Sequence, residues 1–334
     1  MEKIISIRIS QLPAEKRLDQ YLTANLPGVS RSMVKKIIEG NNVKINSQIE
    51  YRANYRLKEG DVIDIDSKNL VDIRAGNILK PENIPLNIIY EDDDMLAVHK
   101  PCGMVVHPAD GNWTGTLMNA VLYHYDDQNE IGQNGFRGGL IHRLDKETSG
   151  IVLIGKTPLG LFHYTKLFAE RKLSKYYIVL AEGPLSVLNK IPAECVVENM
   201  LGRNPLNRKK VRSFRIGGGM PEFNVRVART KFYKIANNSK GYVIFIAKPE
   251  TGRTHQIRVH IKDLGLEIVG DKIYGSGEKS GDRMMLHAYA IVLNRPSKER
   301  ITIKANPDSQ FENILMAKGF DLNEIMTKLE KIII

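Results

Sequence analysis

Long apolar runs are missing from this chain. None of its strings approaches the roughly 18 residues that a membrane-spanning helix needs, and the longest, such as Tyr242 to Ala247, are strand-sized. The N-terminal stretch MEKIISIRISQLPAEKR alternates apolar and polar residues. It has no continuous apolar core, so a secretory signal is not expected. Cysteine is scarce: Cys102 and Cys195 lie far apart without a CxxC or zinc spacing. That excludes a disulfide framework and points to a reducing compartment, the cytoplasm. There is no GxGxxG at a strand–helix junction, no Walker A loop and no HExxH, so the usual dinucleotide, nucleotide and zinc signatures are absent. His255 and His260 are five apart, about 140° around a helix, and cannot form one ligand face. Acid is in deficit too. Lys and Arg number 49 against 38 Asp and Glu, a net charge of +11. A basic chain without membrane features calls for a polyanionic partner, nucleic acid first.

What is present suits two domains. The 334 residues are 42% hydrophobic, enough to bury a sizeable core. Residues 14 to 66 read as a compact unit. One predicted helix, AEKRLDQYLTANL, has Leu18, Tyr21, Leu22 and Leu26 on a stripe. A second, SRSMVKKIIEG, opens on Ser30, buries Val34, Ile37 and Ile38, and stops at Gly40. Strands are expected in NNVKINS and after the Glu59–Gly60 turn. Periodicity weakens from Ser67 to about Leu86, a linker. Residues 87 to about 305 mix short strands (NIIYED, MLAVHK, GIVLIGK, KYYIVLAEG, VRVARTKFYKI, YVIFIAKPE) with helices at TPLGLFHYTKLFAERK and THQIRVHIKDLG. The interleaving lacks a βαβ rhythm, so the fold class is α+β with a mixed, largely antiparallel sheet. The tail ends in a helix with Leu322, Ile325, Met326 and Leu329 on one side.

Between Lys16 and Gly60 stand nine basic and four acidic residues, and Arg31, Lys35 and Lys36 fall on the polar face of the second helix. Such a face can simply be solvated. The string RLDQYL…SRSMVKKIIEGNNVKIN…YRLKEGDVIDI, however, resembles the alpha-L RNA-binding motif. That resemblance implies a module that grips RNA phosphates without reading sequence.

The segment GGLIHRLDKETSGIVLIGK, residues 138 to 156, places Asp145 among His142, Arg143 and Lys146. Their positive field favours the ionised state that a carboxylate nucleophile needs. A lone aspartate there could equally be an Asx-turn that ties down its own loop. HRLDKETSG resembles the signature loop of the RluA-type pseudouridine synthases. VHKPCGMVVHP resembles that family's first motif, with His99 where Asn is more usual. KYYIVLAEG resembles its second, LGRNPLNRKKV its basic segment, and TGRTHQIRVHIKDLGLEIVGDKIYG its third. The likeness runs from about Ile88 to Leu293.

It implies the pseudouridine synthase fold, no cofactor, no metal, and isomerisation of uridine within an RNA chain. Asp145 would start the chemistry, Arg258 would pair with it, and Tyr177 would lie against the uracil and assist the final proton removal. Arg143 would enter the gap left by the flipped nucleotide, and Arg208, Lys209 and Lys210 would face the RNA. Taken alone, Tyr177 is a half-buried strand tyrosine and Arg258 a surface arginine. His142 and Thr148 read as loop-shaping residues, Asp271 as a structural turn, and Thr254 as the cap of the Arg258 helix. The expected organisation is an alpha-L RNA-binding domain at 14–75, a catalytic domain at 76–310 and a helical tail at 311–334. The expected substrate of this monomer is large-subunit ribosomal RNA. The same chemistry on transfer RNA, or a non-catalytic assembly factor, are the alternatives.

Overall fold

The computed structural model describes residues 4–11, 13, 16–25, 31–66, 79–108, 112–125, 139–204, 207, 210–217, 224–275 and 283–333. They form two units, residues 1–80 and, apart from 133–138, residues 81–334. Among the described residues no helix is long and apolar enough to cross a membrane.

The first unit packs two helices on a small antiparallel sheet. Its elements are β1 (Ile4–Arg8), α1 (Leu18–Asn25), α2 (Arg31–Glu39), β2 (Val43–Ile45), β3 (Gln48–Ile49) and β4 (Val62–Asp66), with strand order β1-β4-β2-β3. The helical stripes do what their spacing dictates: Leu18, Leu22, Val34, Ile37 and Ile38 share one core with Val43, Ile45, Ile63 and Ile65. Gly60 turns the chain into β4 with φ +89°, a conformation glycine adopts without strain. The N-terminal alternation becomes β1, which zips onto β4 from Ile4↔Asp66 to Arg8↔Val62.

The second unit is built on one eleven-stranded sheet. In chain order it contains β5 (Ile88–Glu91), β6 (Met95–Lys100), α3 (Leu117–His124), β7 (Ser149–Gly155), α4 (Pro158–Ala169), β8 (Ser174–Glu182), α5 (Leu185–Leu188), β9 (Glu194–Arg203), β10 (Val211–Phe214), β11 (Val225–Asn237), β12 (Tyr242–Pro249), α6 (Gln256–Asp263), β13 (Glu267–Ile268), β14 (Leu286–Asn294), β15 (Arg300–Lys304), α7 (Ser309–Ala317) and α8 (Leu322–Ile333). The main path runs β10-β9-β11-β12-β8-β14-β7-β6-β5, with β13 on β8 and β15 on β14. The β14–β7 pair is parallel and the others are antiparallel. The sheet is therefore mixed and largely antiparallel, within an α+β unit.

The strands at the centre, β8, β12 and β14, are nearly continuous apolar runs because both faces are covered. Ile178 to Ala181 and Val243 to Ala247 are fully buried. Ile257 and Ile261 of α6, Phe311 and Leu315 of α7, and Ile325 and Leu329 of α8 enter this same core. The C-terminal helices thus pack on the core of the same sheet.

One glycine is forced by this arrangement. Gly150, the last residue of HRLDKETSG, has φ +112°, and a Cβ there would lie 2.2 Å from the carbonyl oxygen of Ala288. That is where β7 meets β14 in the parallel pair, His287↔Ser149 and Ala288↔Gly150. The signature loop therefore ends on a residue whose missing side chain lets two strands touch.

Candidate active site

Asp145 opens a turn that closes through the Thr148 N–H, which donates to the Asp145 carbonyl at 3.1 Å. The turn is pinned from below. The Lys146 carbonyl accepts the Gly103 N–H at 2.9 Å and the Lys100 ammonium at 3.0 Å. Lys100 is fully buried and also donates to the Pro101 and Met104 carbonyls at 2.8 and 2.9 Å. Burial pushes the ammonium down to about 8, so at neutral pH it remains a cation serving three carbonyls. Lys100→Met would take the ammonium donor from the Pro101 and Met104 carbonyls and leave the Lys146 carbonyl with the Gly103 N–H alone, an expected loss of about 1–3 kcal/mol. Activity should fall with it, because the Lys146 carbonyl adjoins Asp145. Denaturant melts and single-turnover rates of that variant check this; wild-type stability would refute it.

His142, just before the turn, accepts the Leu153 N–H on Nε2 at 3.0 Å and stacks on Phe168 with ring centroids 4.5 Å apart. It is a shaping residue of the loop, and Thr148 is buried there.

The carboxylate faces a cleft of about 320 Å³ that Arg143, Lys175, Tyr177, His255 and Arg258 also line. Arg258 comes from α6, whose apolar stripe of Ile257 and Ile261 seats the helix on the core. The arginine is not on the surface: its side chain is 4% exposed. Its Nη1 donates to Asp145 Oδ2 at 3.2 Å, while Nε and Nη2 grip both oxygens of Asp271 at 2.7 Å. Asp271 also accepts the N–H groups of Ile273 and Tyr274. The expected turn is there, and the same carboxylate anchors the arginine that meets Asp145. Burial would raise the Asp271 carboxyl, but the guanidinium and the two N–H groups outweigh it and hold it below its ordinary value.

The Arg258 helix is not capped by Thr254. The cap position is His255, left-handed at φ 56°, ψ 19°, with no side-chain cap hydrogen bond. Gln256 fixes this turn instead. Its Oε1 accepts from Thr251 Oγ1 and the Arg253 N–H, and its Nε2 donates to the Arg229 carbonyl and Thr230 Oγ1. A non-glycine residue in this backbone region marks strain held by its surroundings. Here it aims His255 Nε2 at Asp145 Oδ2, 3.8 Å away, with Nδ1 2.9 Å from the Tyr274 hydroxyl. Tyr274 accepts the Val211 N–H at 2.7 Å, so its own proton is available for Nδ1. Burial pushes the ring below its ordinary value against the pull of Asp145. A neutral ring that accepts on Nδ1 presents Nε2–H to the carboxylate.

Tyr177 sits mid-strand in β8, opposite Ala247 of β12 and Ala288 of β14. These two small neighbours leave its ring face open to the cleft. Burial first, and then the Asp145 charge, push the phenol well above its ordinary value. At neutral pH it is a protonated, flat surface.

Asp145, Tyr177 and Arg258 are thus brought together, from segments more than 30 residues apart, and Arg143 stands exposed at the cleft rim. Of the RNA-facing candidates, Lys210 is exposed; Arg208 and Lys209 lie outside the described residues. Lys35 is exposed on α2 and pairs with Glu39 at 3.3 Å. The side chains of Arg31 and Lys36 lie outside the description. Sequence reasoning missed His255, Tyr274 and Lys175. The available signal for His255 was its place three residues before Arg258, one face of the same helix start.

Comparisons with known proteins fit this geometry. Residues 94–263 match the family model described as RNA pseudouridylate synthase, and residues 16–63 match the S4 domain. An uncharacterized RNA pseudouridine synthase of Aquifex aeolicus is 36% identical over 296 residues, spanning 85% of this chain and 87% of that protein. The ribosomal large subunit pseudouridine synthase D of Haemophilus ducreyi is 36% identical over 320 residues, 91% of each chain. Among solved structures, human RNA pseudouridylate synthase domain containing 1 superposes with a TM-score of 0.55 at 25% identity, covering 75% of this chain and 96% of that one.

Proposed function

The chain belongs to the RNA pseudouridylate synthase family, and from that premise we propose that it isomerises specific uridines of large-subunit ribosomal RNA, with Asp145 starting the reaction. The carrying observation is the Asp145 carboxylate, held in the cleft beside Tyr177 and ion-paired to a buried, doubly anchored Arg258. The relatives' names and the S4 match support the ribosomal substrate.

In the reaction the bond between ribose C1′ and uracil N1 breaks, the base turns, and a bond from C1′ to C5 forms. C5 loses a hydrogen and N1 gains one, so nothing is oxidised and nothing passes to a second molecule. Arg258 and His255 orient the carboxylate. Arg143, free to stack and donate, fills the gap as the uridine flips. Tyr177 supports the uracil as a neutral ring face rather than as a phenolate base. The expected state is a monomer, and the expected setting is the cytoplasm.

Loss of the C5 hydrogen supplies the test. Large-subunit ribosomal transcripts carrying tritium at uridine C5 should release it to solvent with the protein, and transfer RNA transcripts should not. Release from transfer RNA alone would reverse the substrate assignment.

Residues 14–75 supply phosphate contacts in this reading. Arg31→Ala, Lys35→Ala and Lys36→Ala combined should weaken binding to the transcript and make its salt dependence shallower by somewhat under one slope unit per lost contact. Turnover at saturating RNA should be near normal. Salt titrations check this, and an unchanged slope would exclude α2 as the clamp.

A further inference from the structure

Two lysines of the second unit have ammonium groups pushed down to about 8 by burial, and among the described residues only one of them has hydrogen-bond acceptors. Lys100 has three carbonyls. Lys175 has no hydrogen-bond acceptor among the described residues. Its surroundings are the Phe168 ring, 5.7 Å from the ammonium, and the like charge of Arg171. Lys175 precedes Tyr177 by two in β8, so the two share one face of the sheet. Its ammonium looks toward the turn before α6: a Cβ added to Gly252 would lie 3.8 Å from it.

Lys175 also lines a recess of about 370 Å³ next to the Asp145 cleft, together with Arg171, Gly252 and Arg253. Arg171 is held left-handed at φ 58°, and Arg253 is pushed below its ordinary value by burial, then by Arg226 and Arg171. The cations therefore repel one another. Glu250 in the recess wall is already taken by Arg229 at 2.7 Å. Lys175 and Arg253 are half-buried and Arg171 is exposed, and withdrawing positive charge from water without a counter-ion costs stability.

We propose that Lys175, Arg171 and Arg253 form a phosphodiester subsite, which seats a backbone phosphate of the RNA strand beside the flipped uridine. This rests on the reading that the Asp145 cleft takes that uridine. Three cations around one recess, with Arg171 repelling both Lys175 and Arg253, are more than a neutral uracil carbonyl requires, and they match an anion. The side-chain-free Gly252 leaves space for phosphate oxygens opposite the ammonium.

The test uses the full chain and whichever transcript, large-subunit ribosomal or transfer, the wild type modifies. Lys175→Met keeps the apolar stem and removes the charge. Its melting temperature should rise by a few degrees, because an unpaired charge is gone. RNA affinity should drop by about tenfold, and the slope of log affinity against log salt should shrink by about 0.7. Arg171→Ala should shrink the slope in the same way, and Lys175→Arg should restore it. An unchanged slope with a collapsed single-turnover rate would put the ammonium on the base and overturn the subsite. A lower melting temperature with unchanged binding would make Lys175 a structural residue and overturn it too. Asp145→Asn, measured on the same RNA, keeps the two readings apart. If that variant turned over, the reaction assignment would fall while the salt slopes still decided the subsite.

Discussion

Asp145→Asn is expected to cut pseudouridine formation at least about 10⁴-fold while RNA affinity stays within about threefold of wild type. The substitution keeps the volume and removes the negative charge with which Asp145 is proposed to start the reaction. The site should remain built, because Arg258 is held chiefly by Asp271, through two contacts of 2.7 Å, and only singly by Asp145 at 3.2 Å. Losing an anion from a cleft that receives a polyanion does not weaken docking by charge. Tritium release at saturating RNA, with binding measured in parallel, decides the matter. Turnover within tenfold of wild type would remove Asp145 from the chemistry.

The second large effect concerns acid. Three histidines are locked neutral by the fold. Burial pushes His142 and His287 down to about 3 and His260 to about 4. Each is tied by its ring nitrogens. His142 accepts the Leu153 N–H. His260 sits between Thr230 and Asn199, and His287 between Ser149 and the Ala305 carbonyl. In the unfolded chain each titrates near 6.5. Between about pH 6.5 and 4 the unfolded chain therefore binds three protons that the folded one refuses, and stability falls as pH falls. At pH 5 each histidine costs about 2 kcal/mol, together about 6 kcal/mol, against a typical total of about 5–15 kcal/mol. Denaturant midpoints at pH 7 and pH 5 should differ sharply for the catalytic unit. Equal midpoints would mean that the histidines are not held neutral.

Much of the fold was legible because local pattern and burial agree. The stripes of α1 and α2, and the apolar strings that became β8 and β12, are written in side-chain spacing alone. β14 was not proposed. Its Leu286–Asn294 segment is buried because β8 and β7 flank it on either side, a fact about partners more than 100 residues away. The meeting of Asp145 with Arg258 has the same origin, and only family resemblance brought that pair forward. The burial of Arg258 was not written in its helix, since it depends on Asp271 reaching back from the turn after β13. The αL backbone of His255 leaves no trace in composition, because the Gln256 network that enforces it is tertiary.

The unequal hold on Arg258 has a consequence for the aspartate itself. Arg258 and His255 both address Oδ2 of Asp145, and among the described residues no donor addresses Oδ1. The two oxygens of one carboxylate therefore have separate duties, one tethered as a rudder and the other left with its lone pairs uncommitted. An attack by this group would be regioselective within the carboxylate, with Oδ1 as the reacting atom and Oδ2 steering it.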